Sequence, residues 1–560
     1  MTEVRAGQII VRILKEEGVE FFSGIHGGHL WPLLRALEGD IKMLHLRHEQ
    51  TGPYISDGWG RTTGRPGVCF GTAGPGMFNM VPGLAHAFLC KSPVVAIAGQ
   101  HETFHDGWAP FQEGYAEDVC RTFTKWSKRI IDPRTVSFHL QKALRDAVAY
   151  PAGPVVLEIP VNVIGRKVEE ERQEGYIPKE RCAELSASVA DPVLVDKIVR
   201  MLLEAERPIV IGGEGIYWSD ASEELREFVE LLRIPVHTRR MGRGAVPETH
   251  PLAFTGGYRR PLMNAADVIA VFGLRMSMLE HFGQPPTYNH DVKYILVSEA
   301  YEDLEARLPT EMRLLANPKR VLRQMIDCAK DLMMMKESPE RTEWLGEVTR
   351  LKEDARKERK ERVNKVRDAR PINPHFLAQE VVDFLDDSAT IILDSYSMAG
   401  FTTDKIESKF AGQVLDAGTD GGVGHSVGIA MGAQMGRPGK QVLALLGDGG
   451  LGVGGFDIET AARYKIPAVY LLFNNSSWIS TEFQKMALPK VDSWGMLPDI
   501  RYDKMFEEMA CHTEFVTEPE QIRPALERSF NSGKTSLINV IPDNSVLPPQ
   551  LGASLARGRE

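Results

Sequence analysis

The chain has 560 residues, 43% of them apolar and 25% charged, and a formal net charge of −10. That length exceeds what one hydrophobic core supports, so two to four domains are expected. The composition excludes a disordered or fibrous chain, and the acidic balance argues against nucleic acid as the main partner.

The opening stretch, MTEVRAGQIIVRILKEEG, mixes charge with apolar residues at helical spacing and lacks the apolar run of a signal peptide. No segment is long and apolar enough for a membrane span. Cys69, Cys90, Cys120, Cys182, Cys328 and Cys511 show no close zinc or redox spacing and read as reduced thiols. The expectation is a soluble cytoplasmic protein with no nucleic-acid and no membrane partner.

Residues 1–175 form the first block. The runs VEFFSGI, GVCFGTAG, VVAIAGQ and PVVLEIP alternate with helical patterns such as LLRALEG. Alternating strands and helices imply a parallel sheet covered on both faces. Its first strand leads into a Gly-rich turn with two histidines, His26 and His29. Imidazoles near their ordinary pKa exchange protons at neutral pH; the plainer reading is a loop pair bonded to backbone. After IKMLHL, Glu49 stands just before a helix. Taken alone, it is equally well a carboxylate facing the helix dipole.

Residues 176–190 are polar and mixed and read as a linker. The central domain, 190–335, repeats the pattern with RPIVIGG, IPVHTRR, ADVIAVFG and VKYILVS. Residues 336–370 are dense in charge of both signs, as on a solvated surface helix. The third domain, 371–545, has SATIILD, QVLALLGDGG, PAVYLLFNN and SLINVIP. The tail, 546–560, carries Arg557 and Arg559 and reads as a frayed end or a lid. The fold class is therefore α/β, with three doubly wound parallel-sheet domains.

The most specific motif is GDGGLGVGGFDIETAARYKIPAVYLLFNN. One strand ends at Gly447-Asp448-Gly449-Gly450, and the next ends at Asn474-Asn475. Asp448 and Asn475 are 27 residues apart, which is one strand–helix–strand unit. Both side chains then reach the same carboxyl edge of the sheet, where open α/β sheets bind ligands. One carboxylate and one amide oxygen suit Mg²⁺ or Ca²⁺, completed by diphosphate, carbonyl and water oxygens. Glycines let backbone approach phosphate, and a helix N-terminus offers N–H donors.

At these residues the chain resembles the thiamine diphosphate enzymes. The resemblance implies thiamine diphosphate and Mg²⁺ as cofactors, with Asp448, Asn475 and the carbonyl of Ser477 on the metal. It makes Glu49 the carboxyl group that meets a ring nitrogen of the aminopyrimidine. It places Gly74 and Asn79 at the pyrimidine side. In DAGTDGGVGHSVGIAMG it sets the Gly421 carbonyl against the amino group and Val423 beneath the bent cofactor, where relatives often carry methionine. The subgroup most similar is that of the 2-hydroxyacyl-CoA lyases and oxalyl-CoA decarboxylases, through MGRGAVPETHP, ADVIAVFGLRMSMLEHFGQPPTYNHDVKYILV and GFDIETAARYKIP. Arg275 falls at an arginine position near coenzyme A there. Ser298-Glu299 and Asn317 depart from that subgroup, which usually has acidic residues at these nucleotide-binding positions.

His26 and His29 resemble benzaldehyde lyase instead, and Gln112 fits both groups, facing the reacting carbon. Glu482 follows NNSSWIST, in the segment that usually covers the site, and is either a second acid–base group or an exposed helix residue. The resemblance implies cleavage of a 2-hydroxyacyl-CoA to formyl-CoA and an aldehyde or ketone. Catalysis falls to His29 or His26, Gln112 and Glu49. Alternatives are a benzaldehyde lyase-like carboligase on free aldehydes and 2-hydroxyketones, or a 2-keto acid or oxalyl-CoA decarboxylase. A small-molecule substrate and a homodimer or homotetramer are expected.

Overall fold

The computed structural model describes residues 3–169, 175, 177, 186–305, 307–334, 340–394, 396–491 and 494–548. Most of the expected linker, and the tail from residue 549 on with Arg557 and Arg559, lie outside the described residues.

Three parallel sheets carry the fold. The first runs in the order Lys42–His45, Phe21–Gly24, Gly67–Gly71, Val94–Gln100, Val155–Pro160, Trp126–Arg129. The third runs Val414–Asp416, Thr390–Leu393, Val442–Gly447, Val469–Phe473, Ser536–Val540, His512–Val516. Counted from each sheet's own first strand, both follow the order 2-1-3-4-6-5. The middle sheet, Val236–Thr238, Pro208–Gly212, Val268–Phe272, Lys293–Ser298, Thr310–Leu315, is 2-1-3-4-5. Each sheet therefore reverses direction between its first and third strands. Crevices at such reversals, outside the carboxyl ends of the strands, are where this architecture binds ligands. A small antiparallel pair, Glu3–Arg5 with Lys167–Glu169, closes the first domain.

The central strands are buried along their whole length, as Val94–Gln100, Val442–Gly447 and Val469–Phe473 are. Sheets covered by helices on both faces require such unbroken apolar runs. Edge strands are more polar: Trp126–Arg129 and His512–Val516 are half-buried. They have none of the apolar runs that mark the inner strands, so periodicity does not reveal them. The charged stretch forms helix Thr342–Lys365, anchored by buried Trp344, Val348 and Lys352. Among the described residues no helix is long and apolar enough to cross a membrane.

The first and third domains meet along helices Thr51–Thr63 and Ser426–Gly436. Side chains would hold these backbones apart. A Cβ on Gly58 would lie 2.1 Å from the Ile429 carbonyl oxygen, and one on Gly432 would lie 2.0 Å from that of Ile55. The seam places the loop that carries Glu49 against the helices that follow Asp448.

Candidate active site

Four strands of the first sheet deliver side chains to its carboxyl edge. Phe21–Gly24 leads to His26 and His29, Lys42–His45 to Glu49, Gly67–Gly71 to Thr72 and Gly74, and Val94–Gln100 to Gln112. Glu49 is 8% exposed, and its Oε2 accepts from Asn79 Nδ2 at 3.0 Å. Gly74 has φ +55°, and a Cβ there would meet the Gln112 carbonyl oxygen at 2.7 Å. That close approach lays the Gln112 segment over the Glu49 side of the sheet.

The two histidines diverge. His26 is exposed and turns to His45, with Nδ1 2.5 Å from His45 Nε2. His29 is half-buried, 3.4 Å from Thr72 Oγ1, with the Gln112 side chain as a hydrogen-bonding neighbour. Burial lowers the pKa of His29, against the opposing pull of Glu102 and the Gln112 hydrogen bond. It is therefore a neutral imidazole at pH 7, able to accept a proton.

The third sheet supplies the second edge. Gly447 ends its strand, and Asp448, Gly449 and Gly450 begin the short helix Asp448–Gly454. Asp448 is buried; Ser477 N–H donates to its Oδ2 and Gly449 N–H to its Oδ1, both at 3.0 Å. Burial raises its pKa to about 6, against those backbone hydrogen bonds. Asn475 stands with its amide 3.2 Å from Asp448 Oδ1 and 3.1 Å from the Ser477 carbonyl oxygen. Asp448, Asn475 and Ser477 are thus brought together. Among the described residues no three His, Cys, Asp or Glu gather as metal ligands. A cation here would be held by one carboxylate and neutral oxygens. Such a hard, weakly charged set leaves coordination positions for diphosphate and water, as Mg²⁺ prefers.

Asp394 stands at the same edge, and sequence reading passed it over. It is buried, and its carboxylate accepts from the N–H groups of Gly424 at 2.8 Å and Ser426 at 3.0 Å. It thereby shapes the loop that carries exposed Gly421 and half-buried Val423. The available signal was position: Asp394 ends SATIIL as Asp448 ends VLALLG, on neighbouring strands. Asp457 was also missed. Its carboxylate accepts from Arg47 N–H at 2.8 Å, His48 N–H at 3.2 Å and the Thr51 hydroxyl at 2.6 Å. Gln50 Nε2 donates to the Val453 carbonyl at 2.9 Å. Within one chain, the Glu49 loop is thus tied to the helices that follow Asp448.

Two predicted residues make none of these contacts. Arg275 is exposed after strand Val268–Phe272 of the middle sheet, on neither edge. Glu482 begins helix Thr481–Ala487 and pairs with Lys485 at 2.7 Å, its side chain 43% exposed. The departures in the middle domain are locally satisfied. Ser298 Oγ donates to Asp303 at 2.8 Å, and Asn317 Nδ2 donates to Glu299 at 2.9 Å. Asp303 also receives Lys91 of the first domain at 2.8 Å.

Comparison with known proteins follows the same division. Residues 4–120 match the N-terminal TPP-binding domain of thiamine pyrophosphate enzymes, 195–325 the central domain, and 397–540 the C-terminal TPP-binding domain. The human protein named 2-hydroxyacyl-CoA lyase 1 is 28% identical over 556 residues, covering 96% of this chain and 94% of that protein. A 2-hydroxyacyl-CoA lyase of Arabidopsis thaliana is 26% identical, covering 96% and 95%. An acetolactate synthase large subunit of Mycobacterium tuberculosis is 28% identical, covering 98% and 97%.

Proposed function

Because the chain belongs to the thiamine pyrophosphate enzymes, we propose that it cleaves a 2-hydroxyacyl-CoA to formyl-CoA and an aldehyde or ketone, a reaction that runs back as an acyloin-type condensation. It is a thiamine diphosphate- and Mg²⁺-dependent enzyme with lyase-type carbon–carbon chemistry. The observation that carries a lyase mechanism, for either substrate class, is the pairing of His29 with Gln112 on the sheet edge that holds Glu49. The relatives named as 2-hydroxyacyl-CoA lyases support the substrate class.

When bound, thiamine diphosphate supplies a nucleophilic carbon and an electron sink for the cleaved bond. Asp448, Asn475 and the Ser477 carbonyl are the residues that would hold Mg²⁺, whose charge would offset that of the diphosphate. Glu49 is the carboxyl group that would meet a pyrimidine nitrogen. Asn79 binds Oε2 and so fixes which oxygen points outward. His29 takes the proton of the substrate hydroxyl, because burial keeps its imidazole neutral. Gln112 would orient the substrate oxygen through its amide, and Asp394 fixes the loop of Gly421 and Val423 that would support the cofactor. The proposed working assembly is a homodimer or a homotetramer.

A second reading is cleavage and ligation of free aldehydes and 2-hydroxyketones. Aromatic side chains favour it: Phe111, next to Gln112 in sequence, and Phe104 and Trp108 in the same connection after strand Val94–Gln100, are 80%, 64% and 77% exposed. The internal pairing of Ser298 and Asn317 in the middle domain points the same way. The test incubates the protein with thiamine diphosphate and Mg²⁺ and offers 2-hydroxyacyl-CoA thioesters beside benzoin-type hydroxyketones, with products identified by mass. Formyl-CoA plus an aldehyde or ketone is the expected result. Cleavage of hydroxyketones alone overturns the coenzyme A reading in favour of the second.

A further inference from the structure

We propose that Asn544 is a positioning residue for the metal centre: it turns the Asn475 amide so that its oxygen, and not its nitrogen, faces the cation. The inference rests on placing the cation among Asp448, Asn475 and Ser477.

Asn544 follows the last strand of the third sheet, Ser536–Val540. Its Nδ2 donates to the Asn475 backbone carbonyl at 2.8 Å. A carbonyl oxygen only accepts, so this bond fixes which end of the Asn544 amide is nitrogen. Asn544 Oδ1 therefore points the other way, to the Asn475 side chain at 2.9 Å. An oxygen there demands a donor, and so Asn475 presents Nδ2 to Asn544.

The Asn475 oxygen is left facing Asp448 Oδ1 at 3.2 Å and the Ser477 carbonyl oxygen at 3.1 Å. Three acceptors at hydrogen-bond distance with no proton to share repel one another. A reversed Asn475 amide would relieve that repulsion by donating to both oxygens. It would then turn its own oxygen to Asn544 Oδ1, or force Asn544 to reverse and set an oxygen against the Asn475 carbonyl. A cation resolves the conflict without either reversal, because it is the one partner that three convergent oxygens share. Asn544 thus holds the amide in the sense that binds metal and disfavours the sense that fills the site with N–H groups. Its own backbone carbonyl accepts from Thr481 N–H at 3.1 Å, which seats Asn544 against the start of helix Thr481–Ala487.

The test titrates Mn²⁺ into the full-length protein with thiamine diphosphate and reads free Mn²⁺ by its paramagnetic resonance signal, so no turnover is needed. Asn544→Leu is expected to weaken Mn²⁺ binding about 10- to 100-fold, the usual effect of losing an outer-shell partner. Asn475→Asp presents an oxygen whichever way it is turned. In that background Asn544→Leu is expected to cost nothing further. An equal loss in both backgrounds means that Asn544 only supports the fold, and overturns the proposal, as does unchanged binding in Asn544→Leu. Asp448→Asn separates the two levels. If that variant keeps Mn²⁺ affinity, the metal site itself is misplaced.

Discussion

Thr51 donates its hydroxyl hydrogen to the Asp457 carboxylate at 2.6 Å, joining the helix after Glu49 to the helix that follows Asp448. The same carboxylate accepts from the N–H groups of Arg47 and His48. Asp457→Ala leaves those N–H groups without a partner and is expected to cost about 1–3 kcal/mol of stability. It also releases the backbone that aims Glu49, so kcat is expected to fall by up to about 10²-fold, as small misplacements of reacting groups do. Steady-state kinetics beside thermal melting check this. A lower melting temperature with unchanged kcat would show that Asp457 serves only the fold.

Gly58 and Gly432 set the distance between the first and third domains. A Cβ on Gly432 would lie 2.0 Å from the Ile55 carbonyl oxygen and 2.6 Å from Trp59 N. Both are backbone atoms that cannot swing away. Gly432→Ala is expected to destabilise by about 1–3 kcal/mol, the cost of overpacking. Gly346, inside helix Thr342–Lys365, has nothing within 4 Å of its Cβ position. There the same change is expected to stabilise by about 0.5–1 kcal/mol, because glycine is the worse helix former. Urea unfolding of both variants tests the contrast.

His86 makes stability depend on pH at the same seam. It is fully buried, with Nε2 3.1 Å from Asp57 and Nδ1 3.0 Å from Asp420, and it stacks on His425 at 4.8 Å. Arg61 pairs with Asp57, and Cys90 Sγ is 3.6 Å from Nε2. Burial alone would lower the His86 pKa; Cys90 and the carboxylates of Asp420 and Asp57 outweigh it and hold the value well above 6.5. A raised folded pKa gives stability that is complete below the unfolded value and is lost as pH rises through the folded one. Stability is therefore expected to decline above about pH 6.5, by at most about 1.4 kcal/mol per pH unit from this group. Denaturant midpoints of wild type and His86→Gln across pH 6–9 check it; parallel curves would remove His86 as the cause.

As the proposed base, His29 is expected to set the acid side of the activity profile. A base must be neutral to accept a proton, and burial lowers the His29 pKa below 6.5. The acid limb of kcat/KM is then expected below pH 6.5, with no loss from this group as pH rises from there. His29→Gln is expected to reduce kcat by about 10²–10⁴-fold, the usual share of a general base. It should also remove that limb, whereas His26→Gln should leave the limb in place. An acid limb that survives in His29→Gln would assign the base elsewhere.

The sequence by itself determined the inner strands and the ligand-bearing turns. VLALLG and AVYLLF are apolar throughout because both faces of a parallel sheet are covered. Their turns bring Gly447-Asp448-Gly449 and Asn475 to one edge because parallel strands end on the same side. Edge strands such as Trp126–Arg129 escaped notice because half-exposed strands carry no continuous apolar signal. Only the tertiary structure separated His26 from His29. The two are near neighbours in sequence, but one turn sends the first to His45 and the second to Thr72 and Gln112. Only it brought Asp457 to the Glu49 loop, and Asn544 to Asn475 across 69 residues. The physical reason is range. Composition and periodicity record what each segment buries, whereas the direction of a hydrogen bond between two distant amides is fixed only when packing brings them together.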